Sequence, residues 1–448
     1  MHTVTDIEPG LVELPVVEAS APAPAVRWRL ATRLAFRFAA IYCLLYVLMT
    51  QMLPGMLPIP GIETVYPGAL EILQNGVRWV ARSVFGFGGP IVAFGGSGDK
   101  AYDWTLAFCL LVGSAVLTLL WSVLDRKPAH PTLFKWFRLF LRFAIAGTMA
   151  SYGLAKAIPT QMPYPSLLRL IEPYGFFSMM GVLWAKIGAS PAYETFTGVV
   201  ELTAAVLLVI PGLTLAGGLL SLAASTQIFV LNMTYDVPVK LFSLHLVAMS
   251  LVLLAPDMKR LFHLLVLDRP VPSSSHQPIF RKRLAQRILI VGQLALGGWI
   301  VWSNYSQTME GYRTFGAGAP RPPLYGLWDI ERMTIGGVER APLITDYDRW
   351  RRVVIQRATS ISFQRMDDTI LGYGAKSSED QKTITLLAAP NAPSIGTLRV
   401  ERPAEDRLVL EGDIGGKKIR MEAKKNDLSS FRLLQGGFRW IQEVPFNR

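Results

Sequence analysis

Seven apolar runs, each close to the roughly 20 residues that carry an α-helix across a bilayer, recur between residues 30 and 303 of this 448-residue chain. Runs of that length leave little choice of fold. In lipid every backbone N–H and C=O needs an internal partner, which only helices and closed barrels supply. Hydrophobic periodicity sets the runs at about 30–53, 102–124, 135–158, 194–211, 212–233, 240–256 and 284–303. The fourth and fifth meet at Pro211-Gly212, a tight turn with no polar linker. Composition agrees: 51% of residues are hydrophobic, 17% are charged and the mean hydropathy is +0.33, whereas a soluble domain carries about 25% charged residues.

The net charge of +12 does not point to a nucleic-acid partner, because much of the excess lies in short loops between apolar runs. Arg27, Arg29, Arg33 and Arg37 precede or open the first run. Arg126, Lys127, Lys135 and Arg138 link the second to the third, and Lys259, Arg260, Arg269, Arg281, Lys282, Arg283 and Arg287 link the sixth to the seventh. With seven spans all three clusters fall on one side, and the positive-inside rule makes that side cytoplasmic. The expected location is a bacterial inner membrane, with the N-terminus cytoplasmic and the C-terminal domain periplasmic. Residues 1–26, acidic and rich in Pro and Ala, lack the basic start and apolar core of a signal peptide and are expected to be a disordered tail.

Two long loops face outward in this topology. Within 55–101, residues 69–85 (ALEILQNGVRWVARSVF) carry apolar residues at helical spacing and suit a helix lying in the interface. Within 160–193, Tyr164, Tyr174, Phe176, Phe177 and Trp184 form an aromatic cover at headgroup depth. After the last span, 304–323 reads as a Gly/Pro linker. From 324 to the end, short alternating segments are separated by turn signals such as Gly336-Gly337, Asp367-Asp368 and Gly415-Gly416. That pattern predicts an antiparallel β-barrel or sandwich. Its 20 Lys and Arg against 17 Asp and Glu make a mixed, solvated surface. The fold class is thus a polytopic α-helical membrane protein of about seven spans with a C-terminal antiparallel β domain.

Chemistry is sparse. Glu201 sits in the apolar stretch FTGVVELTAAVLLVIP with no cation in reach along its own helix, and an intramembrane acid is a functional-site candidate. Counting depth at 1.5 Å per residue puts Glu201, Tyr152, Gln227 and His245, from four helices, in one layer roughly 8–10 Å below the outer surface. These four are the candidate ligand-binding residues. A carboxylate and an imidazole can exchange protons while Tyr and Gln orient a carbonyl or hydroxyl. The competing reading is that each polar group bonds a neighbouring helix and holds the bundle together. Lys156, Lys240 and Arg142 are read as snorkelling side chains.

No haem, flavin, metal or nucleotide motif is present. His245 is the lone histidine within a run, Cys43 and Cys109 form no CxxC pair, and Gly95-Gly96-Ser97-Gly98-Asp99-Lys100 lacks P-loop spacing.

Residues 138–256 resemble the DoxX-like membrane family. The resemblance rests on RLFLRFAIAGTMASYGLAKAIPTQ, with Gly153 and Lys156 closing one helix, on GVVELTAAVLLVIPG with Glu201 inside the next, and on VPVKLFSLHLVAMSLVLLAPD. It implies a four-helix unit and a quinone-linked role, some members being subunits tied to quinone reduction with sulfur substrates. Two extra N-terminal spans, a seventh span and the β domain set this chain apart. The β domain opens on Gly326-Leu327-Trp328, which resembles the Gly-x-Trp start of lipocalin-like barrels. Two expectations follow, and the sequence leaves open whether the protein is an enzyme. One is a membrane-anchored binding or assembly module whose exported β domain captures an apolar ligand or a membrane or periplasmic protein partner. The other is a quinone-linked redox accessory subunit using an intramembrane Glu/His site, its cofactor a quinone or similar lipophilic small molecule.

Overall fold

The computed structural model describes residues 27–59, 61–93, 95, 97–271, 278–389, 392–435, 437 and 440–444; the tail expected at 1–26 lies outside them. The helices are, in chain order, α1 (Leu30–Met49), α2 (Met52–Met56), α3 (Ile62–Ala69), α4 (Glu71–Ser83), α5 (Ala101–Leu124), α6 (Pro131–Ala157), α7 (Leu167–Ile171), α8 (Met179–Gly188), α9 (Pro191–Val209), α10 (Thr214–Thr234), α11 (Lys240–Leu254), α12 (Met258–Leu265) and α13 (Arg283–Thr314).

Among the described residues six helical stretches are long and apolar enough to cross a membrane: α1, α5, α9, α10, α13 and the continuous stretch Lys240–Leu265 that joins α11 to α12. Their surfaces invert the pattern of a soluble protein. On α5, Phe108, Leu111, Val116, Leu120 and Val123 are exposed while Thr105, Ser114 and Thr118 are buried. Apolar side chains facing out and small hydroxyls packed inward are what lipid selects, since tails solvate the former and helices approach closely at the latter. A helix forms in the segment 69–85 as expected: it is α4, whose Gln74, Val77 and Ala81 are buried while Ile72, Leu73 and Trp79 are exposed.

The third expected span, α6, differs from the six. It is long enough, 27 residues or about 40 Å, but it carries Lys135, Arg138, Arg142 and Lys156. It is a central helix, with Leu141, Ala144, Ile145, Met149 and Ala150 at or near zero exposure. Its cations are therefore met by protein. Arg138 pairs with Asp257 at 3.1 Å. Arg142 donates to Leu208 O at 2.8 Å and Val209 O at 3.1 Å, satisfying carbonyls at the end of α9. The snorkelling expected of Arg142 and Lys156 is thereby corrected. Arg37, read as a loop-side charge, is likewise fully buried, donating to Ser122 Oγ at 2.9 Å and Asp125 O at 2.7 Å. The Gly-rich loop before α5 caps α11: Asp99 accepts from the backbone of Lys240 at 2.8 Å and Leu241 at 2.9 Å.

The last helix runs on to Thr314, so residues 304–314 are helix rather than the start of the linker. Beyond it lie β1 (Gly326–Ile335), β2 (Val338–Glu339), β3 (Trp350–Arg357), β4 (Ser360–Arg365), β5 (Ile370–Ser377), β6 (Thr383–Leu387), β7 (Ser394–Ala404), β8 (Arg407–Ile414) and β9 (Lys417–Lys425). All neighbours are antiparallel, in the order β1-β3-β4-β5-β6-β7-β8-β9, and β9 returns to β1 with Trp328 opposite Lys425 and Ile335 opposite Ile419. The domain is a closed eight-stranded barrel, with β2 an added partner of β1; closure rather than a two-sheet sandwich removes the free edges. Gly336-Gly337 and Gly415-Gly416 take φ of 60°, 82°, 62° and 80°, the left-handed pairs that close two-residue hairpins.

Side chains fill the barrel. Trp328, Met333, Val353, Phe363, Leu386, Leu398 and Met421 are fully buried, and the Trp350 and Phe363 rings stack at 4.2 Å. The barrel is also docked. Leu327 and Val354, opposite each other on β1 and β3, leave the barrel core to pack with Leu167 and Ile171 of α7. Gln356 Oε1 accepts from Leu167 N at 3.1 Å, and Gln364 Nε2 donates to Ile171 O at 3.3 Å.

Candidate binding site

The site begins with two glycines. A Cβ on Gly153 of α6 would stand 2.8 Å from Leu202 N and 3.2 Å from Glu201 Cβ; one on Gly198 of α9 would stand 2.5 Å from Gly153 O. Without side chains there, the two backbones approach as small residues allow. Side chains of a helix lean toward its N-terminus, so Lys156 reaches back along α6 to the level of Glu201. Its Nζ donates to both carboxylate oxygens, at 2.7 and 2.8 Å, and both side chains are buried. The cation that α9 does not itself supply to Glu201 comes from a different helix, α6. Lys156 Nζ also lies 5.6 Å from the centre of the Tyr152 ring.

This pair lines a cavity instead of being packed shut. A space of about 250 Å³ is enclosed by α6, α9, α10 and α11, with Leu183, Trp184 and Ile187 of α8 closing one end. Tyr152, Lys156, Glu201 and Gln227 share its walls with Met149, Leu231, Phe242 and Leu246. Gln227 is exposed on the outer surface of the bundle and so stands where the cavity opens. Trp184 Nε1 donates to Gln161 O at 3.0 Å, tying the closing helix to the turn after α6.

Three of the four candidates meet here: Glu201, Tyr152 and Gln227. His245 does not line this cavity. On α11 it is rotated by about 60° from Phe242 and about 160° from Ser243, two residues that do line it. It turns to α1, with Nε2 and Tyr42 Oη 2.7 Å apart, Nδ1 2.7 Å from Leu241 O, and its ring stacked on Tyr46 at 3.8 Å. Depth groups residues by layer, but azimuth decides which space they face.

A second cavity of about 210 Å³ lies beyond Tyr152, lined by Gln51, Ser151, Asn304 and Gln307. Thr148, Tyr152 and Phe242 border both cavities, and Tyr152 Oη accepts from Gln51 Nε2 at 3.1 Å. Lys156 and Gln51 are the residues that sequence reasoning missed. For Lys156 a signal existed: Gly153 precedes it by three positions just as Gly198 precedes Glu201. Two glycines that mark a helix contact bring the residues one turn beyond them together. Among the described residues no cluster of His, Cys, Asp and Glu could hold a metal ion.

No protein-family model matches the chain, and no solved structure matches it. Among curated proteins it is similar to "Uncharacterized protein YwoB" of Bacillus subtilis (strain 168), 32% identical over 136 residues that make up 30% of this chain and 83% of that protein. On that likeness, which covers most of the smaller protein, the chain belongs to the family of Bacillus subtilis YwoB.

Proposed function

We propose that the protein is a membrane-embedded binding module that holds a lipophilic small molecule with a polar head between α6, α9, α10 and α11. The observation that carries this reading is the Lys156–Glu201 pair on a cavity wall. A pair serving only to join two helices needs no open space beside it. Taking both ions out of water is costly enough that such a pair is weak evidence of a purely stabilising role. Here it borders an otherwise largely apolar space in which a ligand's polar group has a donor and an acceptor within reach. Pockets of this character, apolar with a few convergent polar groups, are the usual form of small-molecule sites.

The barrel takes a supporting role in this reading. Its interior is occupied by Trp328, Met333 and Phe363, which leaves the ligand to the membrane cavity. Its outer face holds α7, in the segment that also contributes the α8 cover, so it steadies that cover and offers a solvated surface to a membrane or periplasmic protein partner. We further infer that α6 crosses with the six apolar stretches, giving a bacterial inner-membrane protein with the basic loops cytoplasmic and the barrel periplasmic.

A quinone is the redox alternative for the ligand. Lys156 and Tyr152 supply hydrogen-bond donors suited to its carbonyl oxygens, while His245, outside the cavity, has no direct part. Mass spectrometry of organic extracts of the purified protein tests both readings. A lipophilic molecule that co-purifies with the wild type and is lost from Glu201→Gln supports the binding reading, and a quinone as that molecule supports the redox form. Retention undiminished in Glu201→Gln sinks the site.

A further inference from the structure

Two buried acceptors near the α8 end of the cavity have no hydrogen-bond partner among the described residues: Glu194 Oε2 and Gln161 Oε1. Glu194 is fully buried, at 0% exposure. Only its Oε1 is engaged, by Met162 N–H at 2.9 Å. A native fold pairs nearly all such buried acceptors, and two beside one cavity call for a common reason. Gln161 is itself on the cavity wall, as is Met162. Glu194 is not a wall residue but lies directly behind the wall, held by Met162 N–H and flanked on α9 by the wall residues Tyr193 and Thr197. Glu194 and Glu201 are seven residues apart, so they share one face of α9 about 10 Å from each other. Lys156 is already held by both oxygens of Glu201.

We propose that Glu194 and Gln161 form a second polar subsite that accepts a hydrogen bond from the ligand. The cavity then selects a lipophilic molecule whose head carries a hydroxyl or N–H donor over one whose head only accepts. This rests on the reading of the cavity as a binding site and narrows it. A head of that kind uses both ends: an oxygen toward Lys156 and a donor toward the two acceptors, with the apolar tail leaving past Gln227. Discrimination of this type is strong because the wrong head leaves buried acceptors bare.

The test uses a matched pair of probes, 4-nonylphenol and its methyl ether, in which a methyl group replaces the hydroxyl proton and removes the donor. Each is titrated into phosphatidylcholine nanodiscs holding the full chain, and binding is read from the rise in melting temperature. The phenol is expected to bind at least about 10-fold more tightly than the ether. Glu194→Gln, which turns toward the ligand an amide donor that the ether oxygen can accept from, and Gln161→Leu, which removes an acceptor, are each expected to cut that preference to below about 3-fold. Their unliganded melting temperatures report folding, and Gln161→Leu carries the test if Glu194→Gln does not fold. Equal binding of phenol and ether, or a preference undiminished in the folded variants, overturns the subsite and leaves the cavity reading standing. Stabilisation by neither probe overturns both.

Discussion

Lys156 and Glu201, 45 residues apart in sequence and on different helices, form a two-pronged ion pair in which one ammonium meets both carboxylate oxygens, at 2.7 and 2.8 Å. Neither charge has bulk water to fall back on, so each exists in the bundle because the other does. Removing one partner from a buried pair strands the other and costs about 3–5 kcal/mol, whereas replacing both with apolar groups is often close to neutral. Lys156→Met and Glu201→Leu alone are therefore expected to lower the melting temperature in nanodiscs sharply, and the double variant to recover most of the loss. A double variant no more stable than the singles would mean that the pair is not an isolated unit. If the cavity binds as proposed, the double variant folds but loses the co-purifying molecule.

Gly198 is the point on which that geometry turns. Any Cβ there meets the backbone of α6, with Gly153 O at 2.5 Å and Lys156 C at 2.8 Å, and backbone cannot swing aside as a side chain end does. Gly198→Ala is expected to destabilise the bundle by about 1–3 kcal/mol, the usual cost of overpacking, despite the better helix propensity of alanine. Gly76 on α4 has open space around it, so Gly76→Ala serves as the control and is expected to be neutral or slightly stabilising. Thermal unfolding of the two variants side by side checks the contrast.

What the sequence could convey depended on the range of the interaction. Apolar runs, the α4 amphipathic pattern and the double-glycine hairpins are local, and each was legible. The buried state of α6 was not, because its four cations resemble a span anchored at its ends, and only the packing of α9, α11 and α13 around it shows that protein meets them. Glu201 was visible as an anomaly, but its partner lies on another helix. His245 was grouped with it by depth alone, and depth carries no information on rotation about α11. The barrel domain gave one subtler sign. The runs Gly326-Leu327-Trp328 and Val353-Val354-Ile355 break strict alternation, as strands do when both faces are covered, and Leu327 and Val354 are the residues buried by α7.

That docking contact is testable by itself. Val354 is 2% exposed although its neighbours Val353 and Ile355, not Val354, fill the barrel. Val354→Asp places an unpaired charge against Leu167 and Ile171 while leaving the barrel core intact. The barrel is expected to stay folded but to detach, seen as faster amide exchange in residues 167–171 and quicker proteolysis between residues 315 and 323. The charge-free control Val354→Thr is expected to shift both far less. Unchanged exchange at 167–171 in Val354→Asp would show that the hydrogen bonds of Leu167 N–H to Gln356 and of Gln364 to Ile171 O hold the contact without the apolar patch.

On the barrel's surface Arg340 grips Asp346 with two hydrogen bonds, Nε to Oδ2 at 2.7 Å and one Nη to Oδ1 at 2.8 Å, a fork-to-fork geometry stronger than a single contact. The side-chain hydrogen bonds from Arg340 are the first cause holding the Asp346 carboxyl below its ordinary value of 3.8, and the backbone N–H of Asp348 adds to the effect. A carboxyl with a lower value in the folded state than in the unfolded one stabilises the fold fully above the unfolded value, and that contribution disappears as pH falls through the folded value. Asp346→Asn is thus expected to lower the melting temperature of the full chain by a few degrees at pH 7. The gap between wild type and variant is expected to hold down to about pH 5, narrow as the carboxyl becomes protonated below about pH 4, and close at still lower pH. Thermal scans at half-unit pH steps read it directly, and a gap that stayed constant to pH 2.5 would assign the effect to lost packing instead of lost charge.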